Sequence, residues 1–253
     1  MSNSMKLPIS VCMLVKNEEE NLLKSLPSLS VFEEILVYDS GSTDNSQLIC
    51  QQHGVKIIEG DWHGFSRTRT KLFSQACQPW VFWLDADEIV TDQLIDELQA
   101  IYKSEIKVNG FLINRMVFFQ GKWVRHGEWF PDWNLRIFRA DFWEIKDYEV
   151  HESIDLTGKS FRLSGIIEHY SYKNWADRNN RVESYSTLWA EMKKREGKQT
   201  LHGEGFIRAA WRFFRSYFIK LGFMDGLIGL RVAISIAREV LLKYRKLSLL
   251  NSR

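Results

Sequence analysis

Over the first hundred positions, apolar residues come in short continuous runs, each followed by a polar stretch with helical spacing. The runs are ISVCMLV (Ile9–Val15), EEILVYDS (Glu33–Ser40), VKIIEG (Val55–Gly60) and WVFWLD (Trp80–Asp85). Between them lie EEENLLKSLPSL, GSTDNSQLICQQHG and GFSRTRTKLFSQAC, and TDQLIDELQAIY follows the fourth run. Strands covered by helices on both faces read as unbroken apolar runs, not as alternation. Strand and helix in strict rotation predict βαβ units and a mostly parallel sheet flanked by helices. Ser42 or Thr43 is the expected cap of the second helix, with Gly54 as its stop, and Thr91 the expected cap of the fourth. Farther on, GFLINRMVFF (Gly110–Phe119) and NLRIFRA (Asn134–Ala140) are rich in β-branched and aromatic residues and read as strands.

Open α/β sheets take their ligands outside the carboxyl ends of the strands. Polar clusters sit there in this chain: Lys16-Asn17-Glu18 after the first run, Asp39-Ser40-Gly41 after the second and Asp85-Ala86-Asp87 after the fourth. The last is the most pointed, because VFWLDADEIV passes from Leu84 to Asp85, Asp87 and Glu88 with no turn residue between. Two carboxylates one residue apart at a strand end can converge on one hard cation, Mg²⁺ or Mn²⁺, which shares its shell with substrate phosphates. Such an ion makes a pyrophosphate a better leaving group. The plain alternative is that Asp87 and Glu88 are solvated acids ahead of a helix whose dipole favours them. The chain has no G-x-x-x-x-G-K-[ST] stretch, so it is not a P-loop NTPase. VKNEEENL in place of a Gly-rich turn argues against a Rossmann oxidoreductase.

In their order and spacing, SVCMLVKNEEENL, EEILVYDSGSTDNS, GDWHGFSRTRT and WLDADE resemble the nucleotide-sugar-binding half of a family 2 glycosyltransferase with the GT-A fold, from Ile9 to about Leu98. RHGEWFPDWNLRIFR, YEVHESI and LGFMDGLIGL resemble, more narrowly, the lipopolysaccharide-core β-1,4-glucosyltransferases, which add glucose to an inner-core heptose. The resemblance implies roles. Asn17 and Glu18 line the uridine pocket, Asp39 bonds the uracil or ribose, and Arg69 approaches the base or phosphates. The family pattern often has Asn after this arginine; here Thr70 stands there. Asp85 holds the ribose or a metal-bound water, and Asp87 ligates a Mg²⁺ or Mn²⁺ that bridges the two phosphates. Glu152 is the expected general base, Asp132 the second choice, and His151 a metal ligand or a donor to the pyrophosphate. Arg136 and Arg139 read either as phosphate or acceptor contacts or as solvated strand residues. Trp123, Trp129 and Trp133 read either as sugar-stacking rings or as packed core.

Composition changes the picture only at the far end. From Phe206 to Arg253 lie ten of the 34 Lys/Arg but two of the 32 Asp/Glu, leaving 24 basic against 30 acidic residues elsewhere. A basic tail thus follows a mildly acidic body. Phe206, Ala210, Phe213, Phe214, Tyr217 and Leu221 form one helical stripe there, and Arg208, Arg212 and Arg215 another. A second helix repeats the theme with Arg231, Arg238 and Arg245. Basic, aromatic, amphipathic helices suit the surface of an anionic membrane, and the alternative is packing on the catalytic domain or a second subunit. The expected organisation is a GT-A domain over 1–200, with a donor half at about 8–100 and an acceptor half at about 101–200, then a helical tail over 201–253. No run approaches a membrane span and the start carries no apolar signal region. Cys12, Cys50 and Cys77 read as reduced core thiols. The expected location is the cytoplasm, peripheral on the inner face of the membrane. The expected partners are UDP-glucose, a lipopolysaccharide core or other lipid-linked acceptor and an anionic bilayer, with no nucleic acid, for which no binding module is present.

Three other readings stand beside this one. A different family 2 transferase would keep the site and change the donor or use a polypeptide or carrier-lipid acceptor. A membrane-binding scaffold on a dead transferase fold is opposed by the intact Asp85/Asp87 pair. A nucleotidyltransferase would carry a Gly-rich loop after its first strand, where VKNEEE stands instead.

Overall fold

The computed structural model describes residues 6–104, 107–146, 153–201 and 203–252. Four strands, β1 (Leu7–Val15), β2 (Phe32–Asp39), β3 (Lys56–Glu59) and β4 (Trp80–Trp83), pair in parallel in the order β3-β2-β1-β4. Helices α1 (Glu19–Ser25), α2 (Ser46–Gln52) and α3 (Phe65–Phe73) connect them. The alternation of β1 explains its unbroken apolar run. Val11, Met13 and Val15 join one buried cluster with Leu22 and Phe82, while Cys12 joins a second with Tyr38, Leu72 and Phe138. The edge strand β3 is short and exposes Lys56 and Glu59, which discourages further pairing.

Beyond β4 the pairing turns antiparallel. β5 (Glu88–Val90), β6 (Gly110–Phe119), β7 (Lys122–Trp123), β8 (Trp133–Arg139) and β11 (Ser160–His169) complete a nine-stranded sheet of order β3-β2-β1-β4-β8-β6-β11-β5, with β7 on β6. β9 (Trp143–Lys146) and β10 (Ser153–Leu156) form a separate ribbon. β5 was not expected. The chain leaves β4, passes three strands that lie between, and pairs β5 with β11 at the opposite edge. Helix α4 (Asp92–Tyr102) follows with Thr91 as its cap: the Thr91 hydroxyl oxygen accepts the Leu94 N–H at 3.3 Å and donates to the Ile166 carbonyl at 2.8 Å. α4 lies so close to β11 that a Cβ on Gly165 would stand 2.4 Å from the Leu94 Cα. The second helix corrects its expected start. α2 begins at Ser46 with Asn45 at the cap position, because Ser42 and Thr43 are committed to the loop before it. Of the cysteines, all free, Cys12 and Cys50 are buried but Cys77 is exposed.

The chain groups into two compact units, Met1–Arg115 with Trp133–His169, and Met116–Asp132 with Tyr170–Arg253. The second holds α5 (Trp175–Arg195), α6 (Glu204–Phe214), a π-helical turn (Arg215–Ile219) and α7 (Gly226–Asn251). Its core gathers Val117, Phe119 and Val124 with Trp129, Tyr172, Trp175 and Ile228. Arg178 of α5 bonds Glu239 of α7 at 2.7 Å, and Lys246 of α7 bonds Glu183 of α5 at 2.8 Å. Two motifs a hundred residues apart meet in this unit. Asp225 of LGFMDG accepts the backbone N–H groups of Arg125 and His126 in RHGE at 2.9 and 2.8 Å, and pairs with His126 Nδ1 at 2.8 Å. Among the described residues no helix is long and apolar enough to cross a membrane.

Candidate active site

The carboxyl ends of β1 and β2 lie side by side, Val15 opposite Asp39. The loops that leave them are stitched together. Asn17, at φ 57°, suits a left-handed position that Asn adopts more readily than most residues. Its side-chain oxygen accepts the Thr43 N–H at 2.7 Å, and its own N–H donates to Ser42 Oγ at 2.9 Å. The Glu18 N–H donates to Ser46 Oγ at 2.8 Å, and the Glu18 carboxylate accepts from Asn21 Nδ2 at 2.6 Å. Glu19 accepts both N–H groups of Asn45 at 3.0 Å. Asp39 is buried, and its carboxylate takes Gly41 N–H, Ser42 N–H, Ser42 Oγ and Gln47 Nε2 at 2.7–3.1 Å. Those four donors match the roughly four acceptor sites of a carboxylate. In this geometry Asp39 shapes the loop that follows β2.

The stretch Asp85-Ala86-Asp87-Glu88 bridges from β4 to β5 across the ends of β8, β6 and β11, and each of those strands supplies a cationic or imidazole side chain to it. Arg136 of β8 donates to Asp85 Oδ2 at 3.2 Å, to Glu88 Oε1 at 2.5 Å and to the Trp83 carbonyl at 3.3 Å. Arg115 of β6 reaches Glu88 Oε1 at 3.3 Å. His169 of β11 sets Nε2 3.4 Å from Asp87 Oδ2. From the other side, Arg69 of α3 donates to Asp85 Oδ1 at 3.1 Å. The Trp83 ring lies beneath both guanidiniums, 4.3 Å from that of Arg69 and 5.0 Å from that of Arg136, and its N–H points to Asp85 Oδ1 at 3.3 Å.

The three acids therefore stand in different surroundings. Burial alone would raise the Asp85 carboxyl, but Arg136 and Arg69, then Arg115 and His169, outweigh it and hold the group well below the usual carboxylate range. Glu88 is fully buried, and its carboxylate accepts the Asp85 N–H at 2.9 Å, which closes the bridging turn. Burial, the largest influence, pushes its carboxyl up; Arg136 opposes this and the Asp85 charge adds to it. Asp87 has no guanidinium against it among the described residues. Its side chain is 23 % exposed and its ionic neighbour is the His169 ring.

This pair tests whether the site suits a divalent ion. Among the described residues no three His, Cys, Asp or Glu groups converge as a complete cage. Asp87 and His169, both partly exposed, offer two adjacent ligand atoms, which fits an ion that draws the rest of its shell from substrate phosphates and water. An imidazole ligand favours a transition ion such as Mn²⁺ over Mg²⁺.

The expected residues thus separate. Arg69, Asp85 and Asp87 come together at the end of β4, and Asn17, Glu18 and Asp39 at the ends of β1 and β2. Arg136 is neither a solvated residue nor a free phosphate contact: it is 2 % exposed and spent on Asp85 and Glu88. Glu88 likewise is no solvated acid. Arg139 is exposed, its guanidinium 5.1 Å from the Trp80 ring. Glu152 and His151 lie outside the described residues. Asp132 is half-buried in the second unit, where Trp129 stacks on Tyr172 at 5.1 Å as a packing ring. Trp123 packs edge-on against Phe118 at 4.9 Å, and Trp133 carries Arg162 over its face at 5.1 Å. Sequence reasoning missed His169. The signal was present: SGIIEHY is an apolar run ending in a polar cluster, like the three runs that were flagged.

The whole chain superposes on a mannosyltransferase from Pyrobaculum calidifontis in complex with GDP-Man and Mn²⁺, at a TM-score of 0.56 and 14 % identity over 98 % of this chain and 88 % of that one. Staphylococcus aureus TarS 1–349 in complex with UDP-GlcNAc gives a TM-score of 0.50 at 15 % identity, over 97 % of this chain and 92 % of that one. The mixed sheet flanked by helices is the GT-A fold of glycosyltransferases. Within that class the chain belongs to glycosyl transferase family 2, whose model matches residues 10–154. It is similar over nearly its whole length to an uncharacterized glycosyltransferase of Rickettsia typhi, 27 % identical over 95 % of this chain and 88 % of the relative. It is 26 % identical to LpsC, a lipopolysaccharide core biosynthesis glycosyltransferase of Rhizobium meliloti, over 88 % of this chain and 83 % of the relative.

Proposed function

We propose that this glycosyltransferase moves glucose from UDP-glucose to a heptose of a lipopolysaccharide inner core, with inversion at the anomeric carbon. The observation that carries the reading is the bridge Asp85–Glu88. It is clamped by Arg69, Arg115 and Arg136, and it leaves the half-buried Asp87 beside His169 at the carboxyl end of the sheet. The stitched loops of Asn17, Glu18 and Asp39 supply the wall for the nucleoside. Asp87 and His169 would hold a divalent ion, which would supply charge neutralisation to the departing pyrophosphate. Arg69, ion-paired to Asp85 and stacked on Trp83, is oriented before donor arrives, so little reorganisation is needed. Glu152, or Asp132 in its place, removes the acceptor proton on the face opposite the leaving group. One base and one in-line attack invert the configuration. The choice of acceptor draws on the likeness to LpsC and on RHGEWFPDW and LGFMDG, which join in one structure.

The test is transfer of labelled glucose from UDP-glucose to a heptose-containing core oligosaccharide. Transfer in the presence of Mn²⁺, lost in Glu152→Gln while UDP-glucose still binds, is the expected result. Transfer from another nucleotide sugar in preference to UDP-glucose would overturn the donor assignment. Full transfer by Glu152→Gln would move the base to Asp132.

A further inference from the structure

We propose that the hairpin formed by α6, the turn after it and the start of α7 docks on an anionic lipid bilayer. The packed side of α6 is made of its small residues. Ala209 is buried, Ser216 in the following turn is buried, and a Cβ on Gly205 would stand 2.6 Å from the Cβ of Tyr244 in α7. The large apolar side chains consequently face water: Phe206, Ile207, Trp211, Phe214, Phe218 and Met224 are 47–71 % exposed. Successive ring contacts join the aromatic members into one surface with Tyr217 and Phe223: Trp211 to Phe214 at 6.0 Å, Phe214 to Phe218 at 5.2 Å, Phe218 to Tyr217 at 5.1 Å and Tyr217 to Phe223 at 6.3 Å. A contiguous exposed apolar patch of this kind marks an interaction surface.

The turn at the end of the hairpin is built, not loose. Gly127 N–H donates to the Lys220 carbonyl at 2.8 Å, and Asp225 takes the N–H groups of Arg125 and His126. Leu221, exposed, is held at φ 57°, a left-handed conformation that is costly for a branched side chain and persists only where the surroundings impose it. The protein thus fixes an apolar apex that stays exposed among the described residues.

Charge selects the occupant. Arg208, Arg212 and Arg215 flank the aromatic face at helical spacing, and Lys220 follows. Glu128 faces Arg212, Arg215 and Lys220 at 3.4–3.5 Å and Glu204 pairs with Arg208 at 2.7 Å, two carboxylates against four cations. A second copy of the chain meeting this face in a two-fold contact would bring the same surplus cations together, which is repulsive. A bilayer offers hydrocarbon to the rings and phosphates to the arginines, the arrangement of an interfacial amphipathic helix. The proposal does not depend on which donor the enzyme uses.

The test sediments the full chain with extruded vesicles of phosphatidylethanolamine containing phosphatidylglycerol, and separately with phosphatidylcholine vesicles. Expected is partition onto the anionic vesicles that weakens as salt is raised, with little onto phosphatidylcholine. The triple variant Phe214→Ser, Phe218→Ser, Met224→Ser changes only exposed side chains; its partition should fall at least tenfold while its circular dichroism and UDP-glucose titration stay those of the parent. Absence of partition by the parent, or unchanged partition by the triple variant, would overturn the proposal. A parent dimer in light scattering that the triple variant dissolves, with no vesicle binding by either, would overturn it in favour of a second copy.

Discussion

Replacing Arg136 by Met removes the guanidinium that ties the bridge together while keeping most of the aliphatic stem. Arg136 is 2 % exposed and spans Asp85, Glu88 and the Trp83 carbonyl. Without it the fully buried Glu88 carboxylate loses its 2.5 Å partner. Breaking a buried ion pair from one side costs about 3–5 kcal/mol, because a charge is left uncompensated. Here Arg115 at 3.3 Å and the Asp85 N–H at 2.9 Å still contact Glu88, which places the loss at the lower end, about 3 kcal/mol. For a chain of this length that corresponds to a fall of roughly 6–12 °C in Tm. Adding Glu88→Leu to Arg136→Met removes the stranded charge, and the double variant should recover at least about 1 kcal/mol relative to Arg136→Met alone. The assay is urea unfolding of parent, both single variants and the double variant as a cycle, monitored by tryptophan fluorescence. A loss below about 1 kcal/mol in Arg136→Met, or strictly additive losses in the double variant, would refute the claim that Arg136 neutralises a buried carboxylate.

Three further outcomes follow from the same geometry. His169→Ala should weaken Mn²⁺-dependent donor binding by about 10–100-fold, as loss of a metal-site group typically does, and leave binding measured with chelator unchanged; equal losses in both conditions would assign His169 a merely structural role. Asp85 is held below its unfolded value of about 3.9, so its contribution to stability is present above that pH and lost as pH falls below it. The stability gap between parent and Asp85→Asn should accordingly narrow in acid urea titrations below about pH 4, and a gap that widens there would contradict the sign. Thr91→Ala removes the oxygen that caps α4 and bonds Ile166, and should cost about 1–2 kcal/mol in urea unfolding with no change in donor affinity.

The parallel half of the sheet was legible because its information is local. Ile9–Val15 is apolar on both faces because both faces are covered, and the polar residues after it stand where the sheet opens. The Thr91 cap was legible for the same reason, since it spans only the four residues Thr91 to Leu94. What escaped the sequence depends on contacts across long separations. β5 is three residues long and gains its strand state by pairing with β11, nearly eighty positions later. Ser42 and Thr43 have the chemistry of caps, but Asn17 and Asp39 claim them first. Arg136 looks like any solvated strand arginine until β8 is laid beside β4, and His169 acquires a role only because β11 ends next to Asp87. The apolar stripe of α6 was visible, but its direction was not. Periodicity shows that a helix has two faces; the small residues Gly205 and Ala209 decide which one packs.

The central claim is that Asp87, with His169, presents the donor pyrophosphate to a divalent ion. The most direct measurement is calorimetric titration of UDP-glucose into the parent and Asp87→Ala, each with Mn²⁺ and with chelator. The account predicts Mn²⁺-dependent binding by the parent that Asp87→Ala loses. Binding that ignores the metal, or that survives intact in Asp87→Ala, would contradict it.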